Sequence, residues 1–317
     1  LKGIRDSLDA AFGFNLHDQS TYYNAERTPK PATISYLATA YNYEKDINEV
    51  RANAMKVIVF MNNIIQKYAP GQVGRYNDDF EPRAFGDNIA KWGTSLILIE
   101  SGGYANDIEK QEIRKLNYVS ILSALYTIAK ENYKQIPIEE YEKIPRNDRN
   151  LFDLKIENVT YEHNGQDFIL DLGIQRQEVD KEGHNDFYYK SNIVDQGDLS
   201  TYYGYETFDA EGYTLRAPKV AIGLQEEIGA ARAMGLLKNG MAYLKTELPK
   251  KGFSVKTPLH VMDKKMELPE FKLAPNVNAT FFLEKDGNIT HAIVNGFLLD
   301  LKKPLQEQRF GNALIYR

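Results

Sequence analysis

The sequence predicts an α/β first region, a mixed, largely parallel sheet with flanking helices, followed by a β-rich region. Three observations carry this prediction. Two apolar runs of strand length end in polar residues, two long stretches carry apolar residues at helical spacing, and beyond residue 136 the sequence turns to hairpin-like alternation. With 317 residues, 43% hydrophobic and 12% aromatic, the chain can build two cores and has too many large apolar groups for a solvated coil.

The first strand is expected at 12–17, where Phe12, Phe14 and Leu16 alternate with Asn15 and His17. A helix over 46–68 follows from Ile47, Val50, Ala54, Val57, Ile58, Met61, Ile64 and Ile65, with Asp46 and Glu49 as its N-terminal cap. Residues 69–88, rich in Pro, Gly, Asp and Arg, read as a long loop. The continuous apolar run 94–99 suits a strand buried on both faces, stopping at Glu100-Ser101-Gly102-Gly103. A second helix over 107–133 has a stripe of Ile113, Leu116, Ile121, Leu122, Leu125 and Ile128. Ile136-Pro137, Ile144-Pro145 and the charged run 146–149 then read as a linker, which places the domains at 1–136 and 150–317.

In the second region 152–161 and 168–174 form a hairpin around Asn164-Gly165, and 279–284 pairs with 289–301 around Asp286-Gly287. Residues 224–248 look helical despite Gly229, Gly235 and Gly240, and 181–218 reads as long sheet loops.

Charge and composition exclude several functions. A net charge of −5 disfavours a nucleic-acid binder driven by phosphate contacts. No run approaches the roughly 18 apolar residues of a membrane helix. With no cysteine there is neither a disulfide framework nor a thiolate metal site, so any metal uses His, Asp or Glu. The chain starts at Leu1 in what reads as mid-domain sequence without a signal-peptide pattern, so further polypeptide upstream is expected.

Two residues could carry chemistry. His17 and Glu100 each close a predicted strand, and ligands of open α/β sheets gather beyond strand ends. A carboxylate after four apolar residues, Leu96 to Ile99, is costly to bury unless a donor or cation meets it, although exposure at the strand terminus is the equally simple reading. His17 by itself reads first as a hydrogen-bonded structural histidine.

Asn15-Leu16-His17-Asp18-Gln19, the long loop, and Leu98-Ile99-Glu100-Ser101-Gly102-Gly103 together resemble the C-terminal half of a zinc carboxypeptidase catalytic domain, of the carboxypeptidase A-like metallopeptidase family. The resemblance covers residues 1–134. In that family a His-x-x-Glu pair and a later strand-terminal His bind one zinc, and a Glu on a still later strand serves as base. It therefore implies a hydrolase of C-terminal peptide bonds, with His17 as a zinc ligand and Glu100 as the catalytic carboxylate. It further implies a substrate-closing tyrosine at Tyr76 or, in a looser alignment, an aromatic at Phe80. Arg83 and Phe85 become substrate-pocket residues, with Arg83 alternatively a surface partner of Glu81 or Asp87. Asn15 and Asp18 are possible supports of His17, and Trp92 reads as core. Family members are usually exported, which implies a periplasmic or secreted protein.

The chain departs from the pattern in one respect. None of His17, His163, His184, His260 and His291 begins a His-x-x-Glu sequence, so two zinc ligands are missing. They are expected upstream of Leu1, and this chain alone is expected to hydrolyse no peptide. The alternative is a non-catalytic peptide- or glycan-binding protein that keeps the fold without the metal. A third reading puts a hydrolase site in the second region, whose cluster Phe187-Tyr188-Tyr189 with Tyr202, Tyr203 and Tyr205 could stack on sugars or peptides.

Overall fold

In the computed structural model, which describes residues 2–223, 228–248, 252–268 and 270–317, the chain divides after Leu151 into two units with separate cores. Both mix helices with sheets, and the largest sheet of each contains parallel as well as antiparallel pairs. No helix among the described residues is long and apolar enough to cross a membrane.

The first unit opens with helix α1 (Lys2–Leu8) and contains a four-stranded sheet in the order β1 (Phe12–Asp18), β5 (Ser95–Ser101), β3 (Ile34–Ala38), β4 (Val73–Arg75). β1 lies parallel to β5 and β4 parallel to β3, while β5 and β3 are antiparallel. The sheet is thus two parallel pairs joined back to back rather than a continuous parallel array. Two helices, α2 (Glu49–Ile65) and α4 (Gln111–Lys130), cover one face. Their apolar sides meet Ile34, Tyr36 and Ala38 of β3 and Ile97 and Ile99 of β5 in the core. Since side chains alternate along a strand, Ser35, Leu37, Leu96, Leu98 and Glu100 must point to the opposite face.

Several boundaries differ from the sequence reading. α2 begins after Asn48, whose side chain accepts from the Arg51 amide at 2.9 Å, so Asn48 and not Asp46 is the cap. α4 begins after Asp107 has accepted the amides of Gln111 and Ile113 at 2.7 and 3.0 Å. Leu122 and Leu125, assigned to its stripe, are exposed. The supposed loop 69–88 holds β4 and the start of helix α3 (Phe85–Lys91), elements too short to show a period.

The supposed linker belongs to the first unit. A short helix α5 (Glu139–Glu142) brings Tyr141 into the core, with Ile144 beside it, and the Tyr141 hydroxyl accepts the Ala38 amide at 3.0 Å. The chain then pairs β6 (Asn147–Asp148) with β2 (Asn24–Ala25). Two anchoring apolar residues outweigh the Pro- and charge-rich composition that suggested a linker.

The second unit has an eight-stranded sheet built on the long hairpin of β7 (Leu151–His163) and β8 (Gln166–Asp180), as the Asn164-Gly165 turn predicts. Residues 181–218, read as loops, supply β9 (Phe187–Gly197), β10 (Tyr203–Asp209) and β11 (Thr214–Arg216). A second sheet contains β12 (Lys219–Ile222), parallel through helix α6 (Ala230–Lys238) to β13 (Met241–Thr246). Of the helical reading over 224–248, only α6 stands. Residues 224–227 lie outside the described residues, and Gly240, at φ +78°, ends the helix and starts a strand. β13 runs parallel to β15 (His260–Asp263), which runs parallel to β19 (Ala313–Tyr316), and β14 (Ser254–Val255) closes that edge. The Asp286-Gly287 turn joins β16 (Phe281–Lys285) to β17 (Asn288–Val294). The segment 289–301, expected as one strand, turns again at Asn295-Gly296 into β18 (Phe297–Asp300).

Candidate functional site

The parallel register of β1 and β5 sets His17 directly beside Glu100, 83 positions apart in sequence. On the other side of β5 the antiparallel register sets Ser35 beside the same glutamate, and Gly74 of β4 comes next in the row. Paired residues of adjacent strands project to one face and lie about 4.8 Å apart, so His17, Glu100 and Ser35 form a polar row on the face away from α2 and α4.

Gly74 is what lets the row be capped. A Cβ there would stand 1.8 Å from the Asn147 side-chain oxygen, so the missing side chain is the space Asn147 fills. Asn147 Oδ1 accepts from the Ser35 hydroxyl at 3.0 Å, and its Nδ2 donates to Gln19 Oε1 at 2.8 Å. Gln19 Nε2 in turn donates to Ser35 Oγ at 2.8 Å and to the Ala32 carbonyl at 2.6 Å.

No bond of this network reaches Glu100. A serine hydroxyl has one proton to give, and that of Ser35 goes to Asn147. Glu100, 5% exposed, is left with its Oε2 buried and unpartnered. Burial, and secondarily the charge of Asp18, pushes its carboxyl from 4.5 up to about 7. An orphaned buried carboxylate oxygen costs stability, and such groups collect where a ligand or reaction supplies the missing partner.

The imidazole of His17 is exposed and its Nε2 lies 2.9 Å from Asn15 Oδ1. The amide oxygen can only accept, so in the neutral ring the proton sits on Nε2 and the lone pair on Nδ1. No hydrogen bond among the described residues engages that Nδ1. Chemically it is a single open nitrogen ligand with its tautomer fixed by Asn15. One imidazole does not make a zinc site, and among the described residues no group of three or more His, Asp or Glu is placed to hold a metal.

Tyr76, just past β4, joins this face. Its ring meets Tyr23 edge-on at 6.0 Å, and burial, the Tyr23 phenol and the Glu100 carboxylate all raise its hydroxyl above the ordinary value. His17, Glu100 and Tyr76 are thus brought together. Phe80 instead packs its ring on Tyr43 at 5.1 Å. Arg83 is directed to solvent, with a side chain 90% exposed and bound through Nε to Glu81 at 3.1 Å, the surface pairing left open by the sequence. Phe85, 72% exposed, starts α3, which packs Gly86 against Asn15 and Leu96 on this same face. Trp92 is half-buried at the C-terminal end of α3.

Sequence reasoning assigned no role to Ser35, Gln19, Asn147 or Tyr23. Only Gln19 stood within a quoted motif; Asn147 lay in the segment read as a linker.

The remaining histidines make no comparable cluster. His260 is fully buried, with Nε2 2.8 Å from Thr280 Oγ1, Nδ1 accepting the Leu314 amide at 3.0 Å, and its ring stacked on Tyr243. His184 is exposed beside Asp180, His163 stacks on Tyr161, and His291 packs against Phe208 and Tyr213. Comparison with protein-family models, with curated proteins and with solved structures finds nothing that matches this chain.

Proposed function

We propose that the His17–Glu100 row is part of the active site of a zinc-dependent metallo-carboxypeptidase that hydrolyses the C-terminal bond of peptides or peptide-like amides. The observation that carries the reading is the register pairing of an open imidazole with a buried, partnerless carboxylate. A zinc ion held in part by His17 would supply a polarised water whose pKa lies near 7. Glu100 would take the proton of the attacking water and return it to the leaving amine. Asn15 would hold the His17 ring, and Tyr76 would lie over the substrate. The residues present fit one ligand position and the base; the reading requires two further ligands from polypeptide outside these residues. The resemblance that suggests it also places the protein in the periplasm or outside the cell, with peptides as partners.

The test uses the longest polypeptide encoded by the reading frame that contains these residues, assayed for release of C-terminal amino acids. Expected are bound zinc and turnover that falls about 10²–10⁴-fold in Glu100→Gln with zinc content unchanged, and loss of zinc in His17→Ala. Turnover that survives Glu100→Gln, or a zinc-free protein that hydrolyses peptides, would refute the assignment. The single imidazole favours one second reading, a peptide- or glycan-binding protein on the same fold without the metal. Peptide binding without zinc or turnover in the same polypeptide would establish it.

A further inference from the structure

Strand β1 is the outer strand of its sheet, with β5 as its one neighbour among the described residues. The Ser95 amide donates to the Ala11 carbonyl at 2.8 Å and the Gln19 amide to the Ser101 carbonyl at 2.9 Å, which fixes the phase of that ladder. In a parallel pair every second residue turns its N–H and C=O to the neighbour. Gly13, Asn15 and His17 therefore face β5, while Phe12, Phe14, Leu16 and Asp18 aim theirs outward. No hydrogen bond among the described residues reaches these outward groups. Free edges are normally guarded by lysine, proline or a bulge, and β1 has none of the three.

Helix α4 leaves a second surface open. Tyr118, Ile121, Leu125 and Ile128 recur at alternating spacings of three and four, the spacing of a helix–helix seam. Ile121 and Ile128 pack into the core that Phe12 and Phe14 also border, whereas Tyr118 and Leu125 are 69% and 51% exposed. Asn117 Nδ2 donates to Ser101 Oγ at 2.9 Å, and Ser101 is in register with Asp18. At the other end Tyr133, just past α4, meets the Phe12 ring edge-on at 5.4 Å. The helix thus runs antiparallel to β1, and Leu125, midway between Asn117 and Tyr133, is level with Asn15, midway along the strand.

We propose that β1 and α4 together form the interface of an isologous dimer, whose other half is a second copy of this chain. An antiparallel β1 pair turned about Asn15 sets Phe14 against Leu16 of the copy and Phe12 against its Asp18, so all four outward residues of each strand are hydrogen-bonded. Leu16, 58% exposed, gains Phe14 of the copy as cover. The same half-turn sets Tyr118 of the helix stripe against Ile128 of the copy and Ile121 against its Leu125, centred on Ser123. That centre lies about 3 Å along the helix from the level of Asn15. One axis therefore serves both layers. A foreign extended peptide would pair the edge and leave the stripe bare. Tyr118, Leu122, Leu125 and Leu16 expose on the order of 400 Å² of mainly apolar surface, and the strand edge adds to this toward the roughly 800 Å² per partner of a standard interface. His17 comes to face Gly13 of the copy, so both imidazoles stay open and the dimer does not depend on the peptidase reading.

The test is sedimentation velocity of the full 317-residue chain from about 1 to 100 μM. Expected is a species of twice the chain mass. Leu16→Pro removes one outward N–H and none of the bonds to β5, and Leu125→Glu places a charge at an exposed helix position. Each should weaken association about tenfold or more, with the circular dichroism spectrum unchanged. The chain has no cysteine, so Asn15→Cys introduces a single thiol at the axis. Asn15 and its copy form a non-hydrogen-bonded pair with Cα atoms about 4.5 Å apart, within disulfide reach. Mild oxidation should link that variant into a covalent dimer and leave Ser200→Cys, exposed in the second unit, unlinked. A monomer at every concentration overturns the proposal, as does a dimer that survives both substitutions or leaves Asn15→Cys unlinked. Protection of the Phe14 and Leu16 amides from hydrogen exchange in a monomer would show the edge covered by another segment, and overturns the second copy as its occupant.

Discussion

Glu100 is expected to make the folded chain less stable as pH rises through neutrality, and Glu100→Gln should remove that dependence. Below 4.5 the carboxyl is protonated in folded and unfolded chains alike and contributes nothing. Between 4.5 and about 7 the unfolded chain ionises freely while the folded one retains its proton, so stability is lost as pH rises, and above about 7 the penalty is complete. A carboxyl raised from 4.5 to about 7 costs at most about 3 kcal/mol. Water reaching the row beside the exposed His17 screens the charge, which brings the expected cost to about 1–2 kcal/mol. Glutamine has nearly the same shape and no charge. Urea denaturation of wild type and Glu100→Gln from pH 4 to 8.5 should give matching stability at the acid end and a variant more stable by that amount at pH 8. Parallel curves, or a variant less stable than wild type at pH 8, would show that the carboxylate is well solvated and that the orphaned oxygen has no energetic meaning.

Gly74→Ala should cost about 1–3 kcal/mol by evicting Asn147. The loss is read at pH 7 in the same urea series. His260, buried and neutral, has its titration lowered from 6.5 to about 3, so its contribution is intact above 6.5 and is lost as pH falls toward 3. His260→Gln should cost about 1–3 kcal/mol at pH 7 and flatten that acid limb, read by circular dichroism. Asn48→Ala should cost about 1 kcal/mol through the lost cap of α2, measured by thermal unfolding.

What was legible in the sequence was whatever a long period or a sharp turn announces. The stripe of α2, the apolar run of β5, the alternation of β1 and the Asn164-Gly165 hairpin all lie within a few residues of their expected places. Elements fixed by tertiary contact were not legible. β4 is three residues long and exists because β3 pairs with it; Met241–Thr246 looks like continued helix until Gly240 turns it into a strand. β9 hid among tyrosines and aspartates because its exposed face is polar and only Ser191 and Ile193 are fully enclosed. Of the site, the pairing of His17 with Glu100 could be expected from two strand ends, but register is a property of the sheet. Ser35, Gln19 and Asn147 carry no pattern that marks them, since their roles depend on the space left at Gly74.

The closure of the row by Asn147 also sets a time order on synthesis. Gln19 and Ser35 lie 128 and 112 positions before the residue that binds them both. On a ribosome adding about 5–20 residues per second, β1, β3 and β5 are available for pairing seconds before Asn147 emerges. During that interval the Ser35 hydroxyl lacks its Asn147 acceptor. The polar network beside Glu100 is thus closed only when the Asn147 side chain arrives, well after the strands it joins.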